Sequence, residues 1–234
     1  MPSKPPSKPS FRPSSKARSK NPAKAQAGAS VSNDAEAEFE HINWRGGAIN
    51  DDRLLNVLPA ELACVLRRVN GFVQFDGGLH MRGICSEPQW HSLAYWWTGD
   101  GAFCRHYDAV EPGDIPFAQD CLGDQFLLRD GRVVQLYAET GEVQPLELGL
   151  VEFLENANVD PIDFLGMEPL LQLQQQSGSL QPGQLIEVYP PLCTEESALG
   201  VSVKPVPVGD LIAHHIALAH SLPADGTRFN AGSL

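Results

Sequence analysis

The chain has 234 residues, 42% of them hydrophobic, so it is long enough to bury a core, while no run of about 18 apolar residues predicts a membrane helix. Its formal net charge of −12 is uneven, because residues 1–33 hold seven lysines and arginines and no acid, which leaves −19 on residues 34–234. A body of that charge disfavours nucleic acid and anionic membranes as partners and speeds encounter with basic proteins.

Residues 1–33 combine six prolines with serine, lysine and alanine and almost no large apolar side chain. Such a segment cannot bury enough surface to offset its ordering entropy, so it predicts a disordered basic tail. On an acidic body this tail could fold back loosely, contact nucleic acid weakly or merely tether, and the sequence does not choose among these. It lacks the apolar run of roughly 7 to 15 residues of a secretory signal, and its prolines would interrupt the amphipathic helix of a transit peptide.

The chain has five cysteines, which is an odd number, and they form no C-x-x-C pair. This usage argues against both a disulfide framework and a structural zinc site, and it is typical of a reducing compartment. We therefore expect the protein in the cytoplasm.

After the tail, a short acidic lead-in is expected to form a helical turn before Gly46-Gly47. The stretch "LPAELACVLRRVNGF" then predicts an amphipathic helix of about three turns, because its apolar residues recur at helical spacing. Pro59 suits the first helical position, and Asn70-Gly71 supplies the left-handed residue that closes a helix.

The next segment predicts shorter elements. Residues 72–84 are expected to form two short strands that turn at Asp76-Gly77-Gly78. A second helix is predicted over 88–97, where Trp90, Leu93 and Trp97 recur at helical intervals. Residues 98–113 are rich in turn residues and acids, which predicts a loop.

The most regular part of the sequence is "DIPFAQDCLGDQFLLRDGRVVQLYAETGEVQPLEL", residues 114–148, in which four runs of alternating apolar and polar residues are separated by turns. Asp130-Gly131 between two such runs is a strong hairpin signal, since both central residues of a type I′ turn need positive φ. An antiparallel meander is therefore predicted. The side chains expected to share one helix-covered face of it are Phe126, Leu128, Val134 and Leu136.

A short helix is expected to follow the meander, and a second, over 160–178, is expected to break near Pro169. Two proline-bearing strands, 183–192 and 201–208, are expected at sheet edges, because proline cannot donate to a ladder. The last element, "GDLIAHHIALAHSL", has a broad apolar stripe and predicts a helix.

These elements predict an α+β fold with a mostly antiparallel sheet flanked by helices, in a single domain with a C-terminal extension. We divide the chain into the basic tail 1–33, an α+β core over 34–157, and a helix and strand extension over 158–234 that packs on the core. No repeat of 20 to 50 residues is visible.

The final predicted helix carries three histidines, His214, His215 and His220, which raise the question of a metal site. Their spacing is not the i, i+4 spacing of a helical zinc pair, so exposed or capping histidines are the better interpretation. The chain also lacks a phosphate-binding loop, a dinucleotide fingerprint and a G-x-S-x-G nucleophile turn.

A second catalytic reading pairs His91 or His106 with Cys85 or Cys104 as base and nucleophile. An activated cysteine needs an ordering acid or a helix start beside it, and the sequence indicates neither. This reading is therefore weak.

Acids recur in the meander at Asp120, Asp124 and Asp130, where paired carboxylates or a cation loop could be imagined. Their glycine neighbours favour turn chemistry, in which a short side chain bonds back to its own backbone, and the ligand spacing of a calcium loop is absent. We therefore predict no catalytic residue, no metal and no cofactor.

An aromatic cluster around residues 90–97 has two interpretations, core packing and a surface contact. Three tryptophans within eight residues exceed what one helix face can bury, so at least one could lie at a surface. Trp is favoured as an interface anchor, and several acids follow the cluster. This predicted contact patch, an aromatic centre with an acidic rim, comprises Trp90, Trp96, Trp97, Asp100, Asp108, Glu111, Asp114 and Asp124.

The order of several motifs resembles the SUKH superfamily. "LPAELACVLRRVNGF" is similar to its L-P-x-x-L…N-G helix, "GGLHMRGI" resembles the strand that follows, and "IPFAQDCLGDQFLL" resembles its I-x-[IF]-A-x-D-x-x-G-D strand and turn. "RVVQLYAETGEV" and "LVEFLEN" continue in the expected order, so the resemblance covers about residues 50–157. Trp44-Arg45-Gly46-Gly47 stands where many members have Trp-x-x-G.

The resemblance implies an α+β domain without catalytic apparatus. Most bacterial members neutralise polymorphic toxins, many of them nucleases or deaminases, by direct binding, whereas fungal members act as scaffolds in cell-wall signalling. We expect an immunity protein that occludes a basic toxin domain. The alternative is a regulatory scaffold that recruits partners through its tail, and an enzyme would need activity that depends on His91, His106 or Asp124.

Overall fold

The computed structural model describes residues 39–222, so the predicted basic tail lies outside the described residues. The strands are β1 (Ile42–Arg45), β2 (Phe72–Gln74), β3 (Leu79–Met81), β4 (Ile115–Asp120), β5 (Gln125–Arg129), β6 (Arg132–Tyr137), β7 (Glu142–Leu148), β8 (Gln184–Tyr189) and β9 (Ser202–Pro207). The α-helices are α1 (Asp52–Val57), α2 (Ala60–Arg68), α3 (Leu93–Trp97), α4 (Leu150–Val159), α5 (Pro161–Leu165), α6 (Glu168–Ser177) and α7 (Val208–Ser221).

Strands β1 to β7 form one antiparallel sheet in which each strand pairs with its neighbour along the chain. The predicted meander is confirmed as the last four strands of this sheet. At the β5–β6 turn, Asp130 and Gly131 have φ of 49° and 78°, the positive values that a type I′ turn needs. The predicted fold class, an antiparallel sheet flanked by helices, is confirmed.

Residues 42–45, expected to lie near a helical turn, form strand β1 instead. The strand pairs with β2 through Trp44 opposite Val73 and Arg45 opposite Phe72. Its side chains alternate between partly buried and exposed, but four residues are too few for that alternation to outweigh the helix-favouring acidic residues before them.

The β5–β6 hairpin corrects the predicted facing of its apolar side chains. Its two-residue loop places Leu128 opposite Val133, and directly opposed residues point to the same face of a sheet. Phe126 and Leu128 therefore share a face with Val133, while Val134 and Leu136 lie on the other. Both faces are buried, so each set has a core to enter.

Two cores sandwich the sheet. One face packs against α1, α2, α4, α5 and α6, and the other against α7, β8 and the aromatic residues before β4. Central members of the first core are Leu62, Leu66, Phe117, Phe126 and Phe153. Central members of the second core are Trp96, Phe103, Leu127, Val134, Leu136, Leu211 and Ile212.

Strands β8 and β9 pair with each other in a separate two-stranded sheet, rather than lying at the edges of the main sheet as expected. The hairpin is tied to the main sheet by a hydrogen bond of 2.8 Å from the Ile186 amide to the Cys121 carbonyl. The Glu139 carboxylate accepts hydrogen bonds from the amides of Leu192 and Cys193 in the loop between the two strands.

The helix predicted over 160–178 is two helices, and the break differs from the expected one. It falls at Gly166, which has φ of 63°, and Met167 precedes α6. Pro169 lies in the first turn of α6, where its missing N–H has no intrahelical partner to lose, so the proline starts this helix rather than interrupting it.

Asn70 does more than end α2. Its buried side chain donates to the carbonyls of Gly47 and Ile84, at 2.9 and 3.1 Å, and accepts from the Ile84 amide at 2.6 Å. It thereby joins the segment after β1 to the segment after β3. The sequence pattern predicted only the helix end, because these partners are distant in sequence.

Replacement of Asn70 by alanine is expected to lower the free energy of unfolding by about 2 kcal/mol, since it removes the side-chain partner of the Gly47 carbonyl and of the Ile84 amide and leaves the Ile84 carbonyl only the Asn50 amide at 3.4 Å. The matched control is Asn50→Ala, which removes one exposed contact of 3.3 Å to Ser86 Oγ and should cost less than about 0.5 kcal/mol. Urea denaturation measures both. Equal losses in the two variants would contradict this role of Asn70.

Candidate partner-binding surface

The predicted aromatic centre is largely internal. Trp96 is only 5% exposed, its ring stacks on Phe103 at a centroid distance of 5.2 Å, and its Nε1 donates to the Trp90 carbonyl. Trp97 is partly buried and packs against the first core. The Trp96 side chain therefore belongs to the second core, and its role as a partner anchor stays a prediction.

Trp90 is partly exposed and covers a pair of buried histidines. His80 Nε2 and His91 Nδ1 lie 2.9 Å apart, and His91 Nε2 lies 3.0 Å from the Asn70 carbonyl. Burial lowers the pKa of His91 to about 4 and that of His80 well below its usual value. The rings of Trp90 and His80 are 4.9 Å apart. Both histidines are buried and hydrogen-bonded, so His91 is part of the packed interior.

Next to these histidines lies Arg82, which is fully buried. Its guanidinium donates to the side-chain oxygens of Gln119 and Gln125, both at 2.7 Å, and to the Pro116 carbonyl at 2.9 Å. The acceptors are neutral, and burial lowers the pKa of Arg82 to about 9. The group packs 5.6 Å from the Trp96 ring centroid. This polar centre packs against Trp96 of the second core, and no local sequence pattern indicated it.

Two of the predicted rim acids are structural. Asp114 is buried and accepts two hydrogen bonds from Arg129, at 2.8 and 2.6 Å. Asp124 turns inward, where its Oδ1 accepts from the Ala138 amide at 2.8 Å. Both carboxylates thus bind groups of this chain, and their assignment to a partner-binding rim stays a prediction. The exposed members of the predicted acidic rim are Asp100, Asp108 and Glu111.

Asp120 and Asp124 form the turn between β4 and β5. Asp120 Oδ1 accepts from the amides of Leu122 and Asp124, at 2.9 and 3.0 Å, as the turn interpretation predicts. Burial, reinforced by the neighbouring charge of Glu139, raises the pKa of Asp124 to about 7. Burial and the charge of Asp124 also raise the pKa of Asp120.

This turn predicts a measurable pH dependence. Because the pKa of Asp124 is raised from 3.8 to about 7, the folded state keeps this proton to a higher pH than the unfolded state, and the associated stability is complete below about pH 4 and lost as the pH rises through about 7. Asp124→Asn keeps an acceptor for the Ala138 amide. Urea denaturation from pH 4 to 8 should show wild type losing stability relative to Asp124→Asn, and parallel profiles would refute the assignment.

An open groove of about 340 Å³ lies between the start of α1 and helix α3. Asp51, Cys85, Tyr95 and Thr98 are among its lining residues. Arg105 donates to the Thr98 carbonyl at 3.3 Å, which brings a positive charge to this side of the molecule. The groove could receive one side chain, but its surroundings are not uniformly acidic.

A better candidate surface lies on the outer side of α4 and α5. Val151, Glu155 and Val159 recur at four-residue spacing on the exposed side of α4, and Ile162 and Asp163 are exposed on α5. Val159 is 84% exposed, which is unusual for a large apolar side chain. We call these five residues the acidic helical face. Further exposed acids beside it are Glu147, Glu152, Asp160 and Glu168.

The sequence held a signal for this face that the search for aromatic anchors passed over. Residues 133–203 contain eleven aspartates and glutamates and no lysine or arginine. Charge counted over the whole body hides this asymmetry, since most of its basic residues lie before residue 133. A count in windows of about 70 residues would have indicated this acidic segment, which contains α4 and α5.

The histidines of α7 do not converge on one point. His215 is buried in the second core, His214 is exposed, and His220 Nε2 lies 2.7 Å from the His106 carbonyl. Among residues 39–222, no three His, Cys, Asp or Glu side chains are arranged so that they could hold a metal ion. In the same part of the chain, no helix has the length and apolar character needed to cross a bilayer.

Comparison with known proteins does not indicate a function. No protein-family model matches the sequence, and no curated protein matches it. Among solved structures, the chain is similar to the crystal structure of Atu4351 from Agrobacterium tumefaciens, with 14% identity over 81% of this chain and 88% of that chain and a TM-score of 0.48. That similarity carries no functional argument, and membership of the SUKH superfamily stays a prediction.

Proposed function

We propose that this protein is a non-catalytic binding protein of the immunity type, which neutralises a basic toxin domain by covering its functional surface. The observation that carries the proposal is the group of six exposed acids on or beside the acidic helical face, together with the exposed Val151 and Val159 of α4. The SUKH-like motif order supports the same reading.

On the acidic helical face, the carboxylates and the valines would have different roles in binding. Exposed carboxylates such as Glu155 and Asp163 attract a basic partner and raise its association rate by about 10 to 1000 fold at low salt. Val151 and Val159 then offer apolar surface that the aliphatic stems of lysine and arginine can cover. The exposed Asp100, Asp108 and Glu111 of the predicted contact patch extend the negative field.

The proposal includes the cytoplasm as compartment, a protein partner, and no membrane or cofactor. A nucleic acid partner is disfavoured because the body repels phosphate. The alternative proposal is a regulatory scaffold, for which the seven basic residues and no acid of residues 1–33 would be the recruiting element. Deletion of residues 1–33 separates the two, since occlusion should survive the loss and scaffolding should not.

Co-expression with the product of the adjacent gene tests the proposed function. Growth of cells that carry the toxin candidate should be restored by the full chain, and restoration should need at least one molecule of this protein per toxin, because occlusion is stoichiometric. Protection at far lower ratios would indicate catalysis instead, and failure of every neighbouring candidate to bind would contradict an immunity role.

A further inference from the structure

We propose that the basic segment 1–33 of this chain docks on the acidic helical face and competes there with basic partners. The proposal concerns a contact within one molecule. It goes beyond the proposed function and does not depend on the identity of any partner.

The basic segment and the acidic helical face carry opposite charges. Residues 1–33 carry Lys or Arg at seven positions and no acid, while six exposed acids lie on or beside the acidic helical face, and Arg132 is 3.9 Å from one of them, Glu152. Both segments belong to one chain, so their encounter does not depend on protein concentration, and the effective concentration set by a short connection is in the millimolar range. The apolar centre of the face, Val151 and Val159, suits the methylene stems of the lysines.

The described chain begins close to the acidic helical face. Phe39 is buried against Phe72, with ring centroids 5.1 Å apart. Next to it, the Gln74 side-chain amide donates both to the Glu40 carbonyl and to Asn158 Oδ1, the latter at 3.0 Å. One amide nitrogen therefore joins the start of the described chain to the end of α4, beside the most exposed part of the acidic helical face.

The chain between the basic residues and Phe39 is long enough to span the acidic helical face. Lys24, the last basic residue of the segment, precedes Phe39 by fifteen positions, and that length of chain spans at most about 50 Å. Helix α4 has 10 residues and is therefore only about 15 Å long. The basic residues can reach every position on the face.

The competing location is the predicted contact patch before β4, and its local charge makes it a poorer dock. Glu111 lies 3.5 Å from Arg129, which also binds Asp114. Arg105, which donates to the Thr98 carbonyl at 3.3 Å, adds a further exposed positive charge to this patch. Beside the acidic helical face the exposed Arg132 lies 3.9 Å from Glu152, so a basic segment meets fewer positive charges there than at the predicted contact patch.

Zero-length carbodiimide cross-linking of the full chain tests the contact, because it joins a lysine amine to a carboxylate only when the two touch. A mixture of isotopically labelled and unlabelled protein distinguishes links within one molecule from links between two. We expect lysines of residues 1–33 to link to Glu155 and Asp163 within one molecule about tenfold more often than to Asp100 and Asp108. The preference should vanish at about 0.5 M salt, where charge is screened within a few ångströms.

Amide NMR spectra of the full chain provide a second readout that needs no reaction at the carboxylates. The variant Lys16→Gln, Lys20→Gln, Lys24→Gln should shift amides within residues 150–165.

Variants of the acids provide the control for the cross-linking experiment. The double variant Glu155→Gln, Asp163→Asn should reduce the residual intramolecular links to Asp160 and Glu152 several-fold. The double variant Asp100→Asn, Asp108→Asn should leave these links unchanged.

The proposal is overturned if the intramolecular links follow carboxylate exposure over the whole surface, if they favour Asp100 and Asp108, or if they form only between molecules. Amide shifts that are absent, or that lie outside residues 150–165, contradict it as well. Since no partner enters either experiment, these failures are distinct from a failure of the proposed function.

Discussion

Replacing Arg82 by alanine is expected to lower the free energy of unfolding by about 4 kcal/mol or more, which is a large part of the stability of an ordinary domain. The change removes a buried side chain and leaves the oxygens of Gln119, Gln125 and Pro116 without their donor. Each buried polar group so abandoned costs about 1 to 3 kcal/mol. Urea or thermal denaturation measures the loss.

Controls separate this network from a simple packing loss. Arg105→Ala removes an exposed arginine and should change stability by less than about 0.5 kcal/mol. Arg82→Met keeps the length of the stem but not the donors, so it should remain strongly destabilised. The triple variant Arg82→Met, Gln119→Leu, Gln125→Leu replaces the three polar side chains by apolar groups, leaves the carbonyls of Pro116 and Gly123 without these donors, and should recover part of the loss. If the triple variant is the least stable of all, the network explanation is wrong.

Reversing the charge of the acidic helical face is expected to weaken binding of a basic partner by about 10 to 100 fold, mostly through a slower association rate. The variant is Glu155→Lys, Asp163→Lys. Both side chains are exposed, so the fold should not change. Surface-immobilised binding kinetics at low salt give the two rate constants.

The matched control reverses two acids of the predicted contact patch, Asp100→Lys and Asp108→Lys. The net charge change is the same, so a general effect of charge would affect both variants equally. We expect a loss of less than about fivefold in the control, since these acids belong only to the outer field. A larger loss in the control would return the binding surface to the loop before β4.

Much of the sheet could be predicted from local sequence. Asp130-Gly131 needs positive φ at both positions, and few other structures than a hairpin supply it. The facing of the strands could have been predicted as well, because a two-residue loop fixes the parity of every pair beyond it. Strand β1 could not, since its pairing with β2 joins residues about 30 positions apart and its own alternation is too short.

The candidate site was less predictable, and the tryptophans show why. A helix of five residues at the junction of two cores sends Trp96 to one core and Trp97 to the other. The assumption of a single buried helix face therefore predicts an exposed tryptophan on α3, where both tryptophans pack against a core. Arg82 and its two glutamines were missed for a related reason, because their partnership depends on the register of β3, β4 and β5.

Native mass spectrometry of the full chain with the toxin candidate encoded beside it tests the immunity role most directly. We expect a stoichiometric complex whose mass is the sum of two unmodified chains, which separates at high salt and then releases active toxin. A toxin recovered with altered mass, or inactivated by far less than one equivalent of this protein, would contradict it.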